Sequence, residues 1–117
     1  MAGTYKIMIA DDFPILREDL AEVIREQPDM EVVGEASTGK EIVALAESMD
    51  YDLILMDIEM ETMNAGITAT EMIRDKNPQA KIIFLTAHEL REIIITAMGA
   101  GALDYIVKGC SDEEILY

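Results

Sequence analysis

The chain of 117 residues has a single cysteine, Cys110, so no disulfide can form within it and a reducing compartment, the cytoplasm, is its expected setting. Basic residues are also scarce: nine Lys and Arg stand against 24 Asp and Glu, a formal charge of −15. That balance repels phosphate backbones and anionic lipid, which argues against this segment gripping nucleic acid or a membrane surface by itself. No apolar run approaches the ~20 residues of a membrane span, and the N-terminus has no signal-like apolar block. Repeats, low-complexity tracts and linkers are missing too, which at this length leaves one domain, soluble and acidic. The first acidic loop lacks the Gly, Ser or Thr of a phosphate cradle, so flavin binding fares poorly. His88 has no second histidine to join it in a metal site.

What is present is an alternation of short apolar runs with longer segments of helical period. The runs are Lys6–Ala10, ending at Asp11-Asp12; Glu31–Ala36; Leu53–Met56, ending at Asp57; Ile82–Leu85, ending at Thr86; and Tyr105–Val107, ending at Lys108. Four of the five are apolar on successive residues, as strands covered on both faces should be. Between them, Leu16, Leu20, Val23 and Ile24 share one helical face after Pro14. Thr38-Gly39-Lys40-Glu41 has capping-box spacing ahead of Ile42, Leu45, Ala46 and Met49. Ile67, Met72 and Ile73 mark a third helix stopped near Asn77-Pro78; Leu90, Ile93, Ile94, Ala97 and Met98 mark a fourth, ended by Gly99 and Gly101. Ser111-Asp112-Glu113-Glu114 would cap a fifth with only three residues to follow, so a truncated helix and a fragment of a longer product are expected. The order predicts an α/β fold, a doubly wound parallel sheet with helices on both faces.

In open parallel sheets ligands bind beyond the carboxyl ends of the strands, where the winding reverses. Asp11, Asp12, Asp57, Thr86 and Lys108 all fall at such ends, and the strand order 2-1-3-4-5 would set them side by side. Crowded carboxylates repel unless neutralised, and a hard cation such as Mg²⁺ (or Mn²⁺) does that while keeping open positions for phosphoryl oxygens. A hydroxyl and an ammonium complete a pocket for a transferring phosphoryl group, with a carboxylate as the nucleophile.

On these residues the chain resembles a response-regulator receiver domain of two-component signalling, of the CheY-like superfamily with a flavodoxin-like five-stranded sheet. The motifs are Ile9-Ala10-Asp11-Asp12, Leu55-Met56-Asp57, Leu85-Thr86-Ala87 and Tyr105-Ile106-Val107-Lys108. Asp11-Asp12-Phe13-Pro14 with Val32-Val33-Gly34-Glu35-Ala36 leans toward the NarL/FixJ-type subfamily, whose receivers usually precede a helix-turn-helix DNA-binding domain. The resemblance implies that Asp57 accepts a phosphoryl group from a histidine kinase or a small acyl phosphate. Asp12 would hold Mg²⁺ directly, Asp11 through water, and the Glu59 backbone carbonyl would be a further ligand. Thr86 and Lys108 would bind the phosphoryl group, and Tyr105 would turn inward as Thr86 moves. Glu59 and His88 would tune the phosphoryl lifetime. Such a domain is a switch with slow self-hydrolysis rather than a turnover enzyme. It would act on its own C-terminal transcriptional output domain, and on DNA only through that domain, with a homodimer as one readout and no membrane partner.

Each residue also has a plainer reading. Asp12 could simply cap the first helix, and Asp52, at the opposite end of the third strand, serves as a control expected to be only solvated. Tyr105 could be packing, Cys110 a bystander, and most of the nine methionines core filling. Ile93, Ile94 and Ile95 cannot all face a core, which leaves one for a partner surface. One stretch departs from the family pattern: Glu61 stands where receivers commonly have Pro after Met, and Gly66 falls nine residues after Asp57 instead of eight. Without proline's fixed φ, that loop is expected to be more mobile or differently turned. The departure motivates a rival reading as a docking module that signals without phosphate. A haloacid-dehalogenase-like phosphohydrolase is the enzymatic rival, weakened by the late position of Asp57 and the lack of room for a cap.

Overall fold

A computed structural model describes residues 4–86 and 104–107, with Thr86 and residues 104–107 described through their backbone. The elements are β1 (Tyr5–Ala10), α1 (Pro14–Arg25), β2 (Met30–Ala36), α2 (Gly39–Ser48), β3 (Leu53–Asp57), α3 (Ala65–Lys76), β4 (Ile82–Thr86) and β5 (Asp104–Val107). The expected fourth and fifth helices, with Ile93–Ile95, Cys110 and Ser111–Glu114, lie outside the described residues.

All strands pair in parallel in the order β2-β1-β3-β4-β5. Side chains alternate across a strand, so each buried strand feeds two cores. Met8, Ala10, Ile54, Met56, Ile82 and Phe84 face α2 and α3, which close that side with Ile42, Ile67, Ala69 and Ile73. Ile7, Ile9, Leu55 and Leu85 face α1, which brings Leu20, Ala21 and Ile24. This is why successive residues of β1 and β3 are apolar: both faces are covered. The chain runs β1, α1, β2 outward in one direction, then α2 carries it back past β1 to β3. The winding therefore reverses between β1 and β3, and their carboxyl ends sit at the switch point.

The helix ends follow local chemistry. Thr38 caps α2 by accepting the Glu41 N–H at 3.1 Å. At α1, Pro14 takes the first turn and the cap position is Phe13, without a side-chain acceptor. Asp12 therefore does not cap α1. Asp52 corrects another expectation: its Oδ2 accepts the Lys6 N–H at 2.7 Å, and its own N–H reaches the Lys6 carbonyl at 2.7 Å. It ties the entries of β1 and β3 together instead of being only solvated. Met72 is exposed, as are Met63 and Met49, while Met8 and Met56 are buried. The inward face of α3 runs through Ile67, Ala69, Thr70 and Ile73, and Met72, about 100° round the helix from Ile73, points away from it.

Candidate functional site

The acids meet at the switch point. One carboxylate oxygen each from Asp11, Asp12 and Asp57 lie within 4.8 Å of one another. Asp11 is 0% and Asp57 2% exposed, whereas Asp12 faces solvent. At that spacing each pair of charges repels by ~3 kcal/mol for an effective dielectric near 20, less where water reaches Asp12. The donor set is all oxygen, anionic, and open on one side. Those are the terms on which Mg²⁺ or Mn²⁺ binds proteins, so the residues fit such a cation.

Two different scaffolds hold the acids. At the end of β1, the Asp11 N–H reaches the Ala36 carbonyl at 3.0 Å, prolonging the β1–β2 pairing by one step. Its Oδ1 accepts the Phe13 N–H at 2.8 Å, a side-chain-closed turn that leads into α1. Arg17, one turn into that helix, donates from Nη1 to the Asp11 carbonyl at 2.6 Å. The same guanidinium lies 3.5 Å from Glu35 on β2, which also meets Arg25 at 3.5 Å. Strand end, helix and edge strand are thereby joined at one residue.

Asp57 closes β3, and the Ile58 N–H reaches Leu85 of β4 at 3.1 Å. The chain then makes a compact excursion whose base is closed by the Gly66 N–H on the Ile58 carbonyl at 2.8 Å. Gly66 packs so tightly that a Cβ there would lie 2.0 Å from the Asp57 carbonyl oxygen. The extra residue before Gly66 is thus absorbed inside the excursion, where Met60 N–H bonds Thr62 O at 3.1 Å and Ala65 N–H bonds it at 3.4 Å. Met60 packs against the larger core. Glu61 reaches across to α2: Oε1 accepts the Gly39 N–H at 2.7 Å and Oε2 the Lys40 N–H at 3.3 Å. Partial burial raises this carboxyl's pKa, but the N–H groups of Gly39, Glu61 and Lys40 and the Lys40 charge together hold it below the ordinary value. The segment expected to be more mobile or differently turned without proline is held at its base, at Met60 and at Glu61.

Three of the expected site residues, Asp11, Asp12 and Asp57, are brought together as side chains, and Glu59 follows two residues after Asp57, half-buried. The backbone sets Thr86 at the end of β4, opposite Val107, with its neighbour Leu85 opposite Asp57; Tyr105 pairs with Phe84. Their side chains, with Lys108 and His88, lie outside the described residues. Arg17 and the acceptor role of Glu61 were not foreseen from sequence. An Arg one turn after the acidic pair was the available signal for the first, and the second had none within its own stretch.

The family model for the response regulator receiver domain matches residues 7–117. The chain is 38% identical over 110 residues to the nitrate/nitrite response regulator protein NarL of Escherichia coli strain K12, covering 94% of this chain and 50% of that protein. It is 39% identical over 111 residues to the transcriptional regulatory protein YxjL of Bacillus subtilis, covering 95% and 50%. The chain thus spans about half the length of the curated relatives it matches. Among solved structures, a LuxR-family two-component response regulator from Aurantimonas superposes with a TM-score of 0.90 at 32% identity, covering 97% of this chain and 81% of that one.

Proposed function

The chain belongs to the family of response regulator receiver domains, with NarL/LuxR-type regulators as its homologues, and from that premise we propose that it is a phosphorylation-dependent switch whose acceptor is Asp57. The observation that carries this reading is the meeting of Asp11, Asp12 and Asp57 within 4.8 Å at the winding switch. Asp12, Asp57 and the Glu59 carbonyl would hold a Mg²⁺ ion, Asp11 joining through water. When bound, the ion neutralises the acids and the oxygens of the incoming phosphoryl group.

The chain's own residues do the rest. An Asp57 oxygen attacks the phosphorus of a kinase phosphohistidine; the O–P bond forms as the P–N bond breaks, and the departing imidazole keeps the electron pair and takes up a proton. Asp57 is 2% exposed, so its phosphorylated form would be shielded in part from bulk water. Thr86 and Lys108 would bind the dianion, and Tyr105 would follow Thr86. The product hydrolyses slowly, so the domain stores a state rather than turning over a substrate. A sensor histidine kinase upstream, a DNA-binding output domain downstream, a homodimer as readout and a cytoplasmic setting belong to the same proposal. Among the described residues no helix is long and apolar enough to cross a membrane. The phosphate-independent docking reading is motivated by the altered loop, and a chain that gives no phosphoryl adduct would favour it.

The test is to incubate the chain with acetyl phosphate and follow intact mass. A single phosphoryl adduct that needs Mg²⁺ and disappears in EDTA supports the proposal. Absence of any adduct with Mg²⁺ present overturns it.

A further inference from the structure

The 58–66 excursion carries Glu59, and its outermost tether is Glu61. The first N–H groups of a helix have no partner within the helix, and a carboxylate is their best acceptor because the helix dipole adds to the hydrogen bonds. At α2 this duty is divided. Thr38 takes the Glu41 N–H from within its own chain segment, while Glu61 takes those of Gly39 and Lys40 from 22 and 21 residues away. The two segments lie close at Gly39: a Cβ there would stand 3.0 Å from the Ala65 carbonyl and 3.4 Å from Glu61 Oε2. The peptide that presents the Glu59 carbonyl lies between the Ile58–Gly66 closure and this tether, with Met60 seated on the core between them.

We propose that Glu61 is a positioning residue for the Asp57 centre: by bridging the amino end of α2 to the β3–α3 segment, it fixes the path of residues 59–61 and so the direction of the Glu59 carbonyl. The inference rests on the metal-assisted reading above. Glu61 touches neither the acids nor the reacting atoms; it acts through the backbone between them. It replaces a covalent restraint on the loop, proline's fixed φ, with a charge-assisted one that reaches to a neighbouring helix. Removal therefore acts first on metal affinity and only secondarily on the fold.

The test is a Mg²⁺ titration followed by backbone amide NMR shifts in the parent chain, Glu61→Ala, Glu61→Gln and Thr38→Ala. Glu61→Ala is expected to weaken Mg²⁺ on the order of tenfold, the low end of what loss of an outer partner of metal ligands costs, and to speed hydrogen exchange at the Gly39 and Lys40 amides. Glu61→Gln keeps one acceptor oxygen and recovers part of the affinity. Thr38→Ala removes the other cap of the same helix and leaves Mg²⁺ binding little changed. Unaltered affinity in Glu61→Ala, or an equal loss in Thr38→Ala, overturns the inference while the Asp57 reading stands. A parent chain that fails to bind Mg²⁺ overturns both.

Discussion

The two strand ends that carry the acids, β1 and β3, lie side by side, yet they are held in opposite ways. After β1 the chain turns at once into a helix, and the restraint is local: Asp11 bonds Phe13, and Arg17 returns to the Asp11 carbonyl. After β3 the chain makes a seven-residue excursion between Ile58 and Gly66. It has local hydrogen bonds at its base and around Thr62, but it also takes restraints from farther away, from the core under Met60 and from α2 through Glu61. The proposed cation-holding cup would take ligands from both ends, combining a locally braced wall with one tied to a neighbouring helix. A carboxylate in the place where relatives commonly have proline can supply a tether that reaches a neighbouring helix end.

The sharpest way to break the β3 side is Gly66→Ala. A methyl 2.0 Å from the Asp57 carbonyl has only backbone to push. It is expected to cost about 3 kcal/mol, the upper range of overpacking, and to displace Asp57. Chemical denaturation gives the first effect, and a weakened Mg²⁺ response of the Asp57 amide the second. On the β1 side the matching change is Arg17→Ala. It removes a charged hydrogen bond and the link to Glu35 from a partly buried position, and a loss of about 2 kcal/mol in the same assay is expected.

The crowding of charges gives a change of opposite sign. Asp12→Asn relieves repulsion without disturbing a hydrogen bond that builds the turn, since that role belongs to Asp11. In EDTA its thermal midpoint is expected to rise a few degrees above the parent. In Mg²⁺ the parent should gain and the variant should not, because only a ligand that binds the folded state stabilises it. Equal midpoint shifts on adding Mg²⁺ would contradict the cup. The smallest effect belongs to the far end of the sheet: Asp52→Ala removes an exposed tether to Lys6 and should cost less than about 1 kcal/mol in denaturation, with Mg²⁺ binding unchanged.

Much of this was legible in the sequence, for reasons that differ by residue. Consecutive apolar residues in β1, β3 and β4 announced strands covered on both faces, and Pro14 and Thr38 announced helix starts, because these signals act within a few residues. The alternation of elements announced a parallel sheet with helices on both faces; the order 2-1-3-4-5, and with it the convergence of Asp11, Asp12 and Asp57, came with the family resemblance. The failures share one cause: a partner distant in the chain. Asp52 read as solvated because Lys6 lies 46 residues away, and Glu61 read as a loss because its acceptor role exists only once α2 is in place. Asp12 read as a possible cap because periodicity does not say which of two adjacent acids closes the turn. Met72 read as core because apolar character was taken for an inward direction, which α3's packing assigns to Ile73.

The most direct measurement locates the phosphoryl group itself. After treatment with acetyl phosphate and Mg²⁺, borohydride reduction converts an aspartyl phosphate to homoserine, and peptide mass spectrometry then reads which acid reacted. Homoserine at position 57 alone, formed only when Mg²⁺ is present and missing from Asp57→Asn, is the expected result. Label on Asp11 or Asp12, or labelling at Asp57 that proceeds equally well in EDTA, would contradict a cation-holding cup built around one reactive carboxylate.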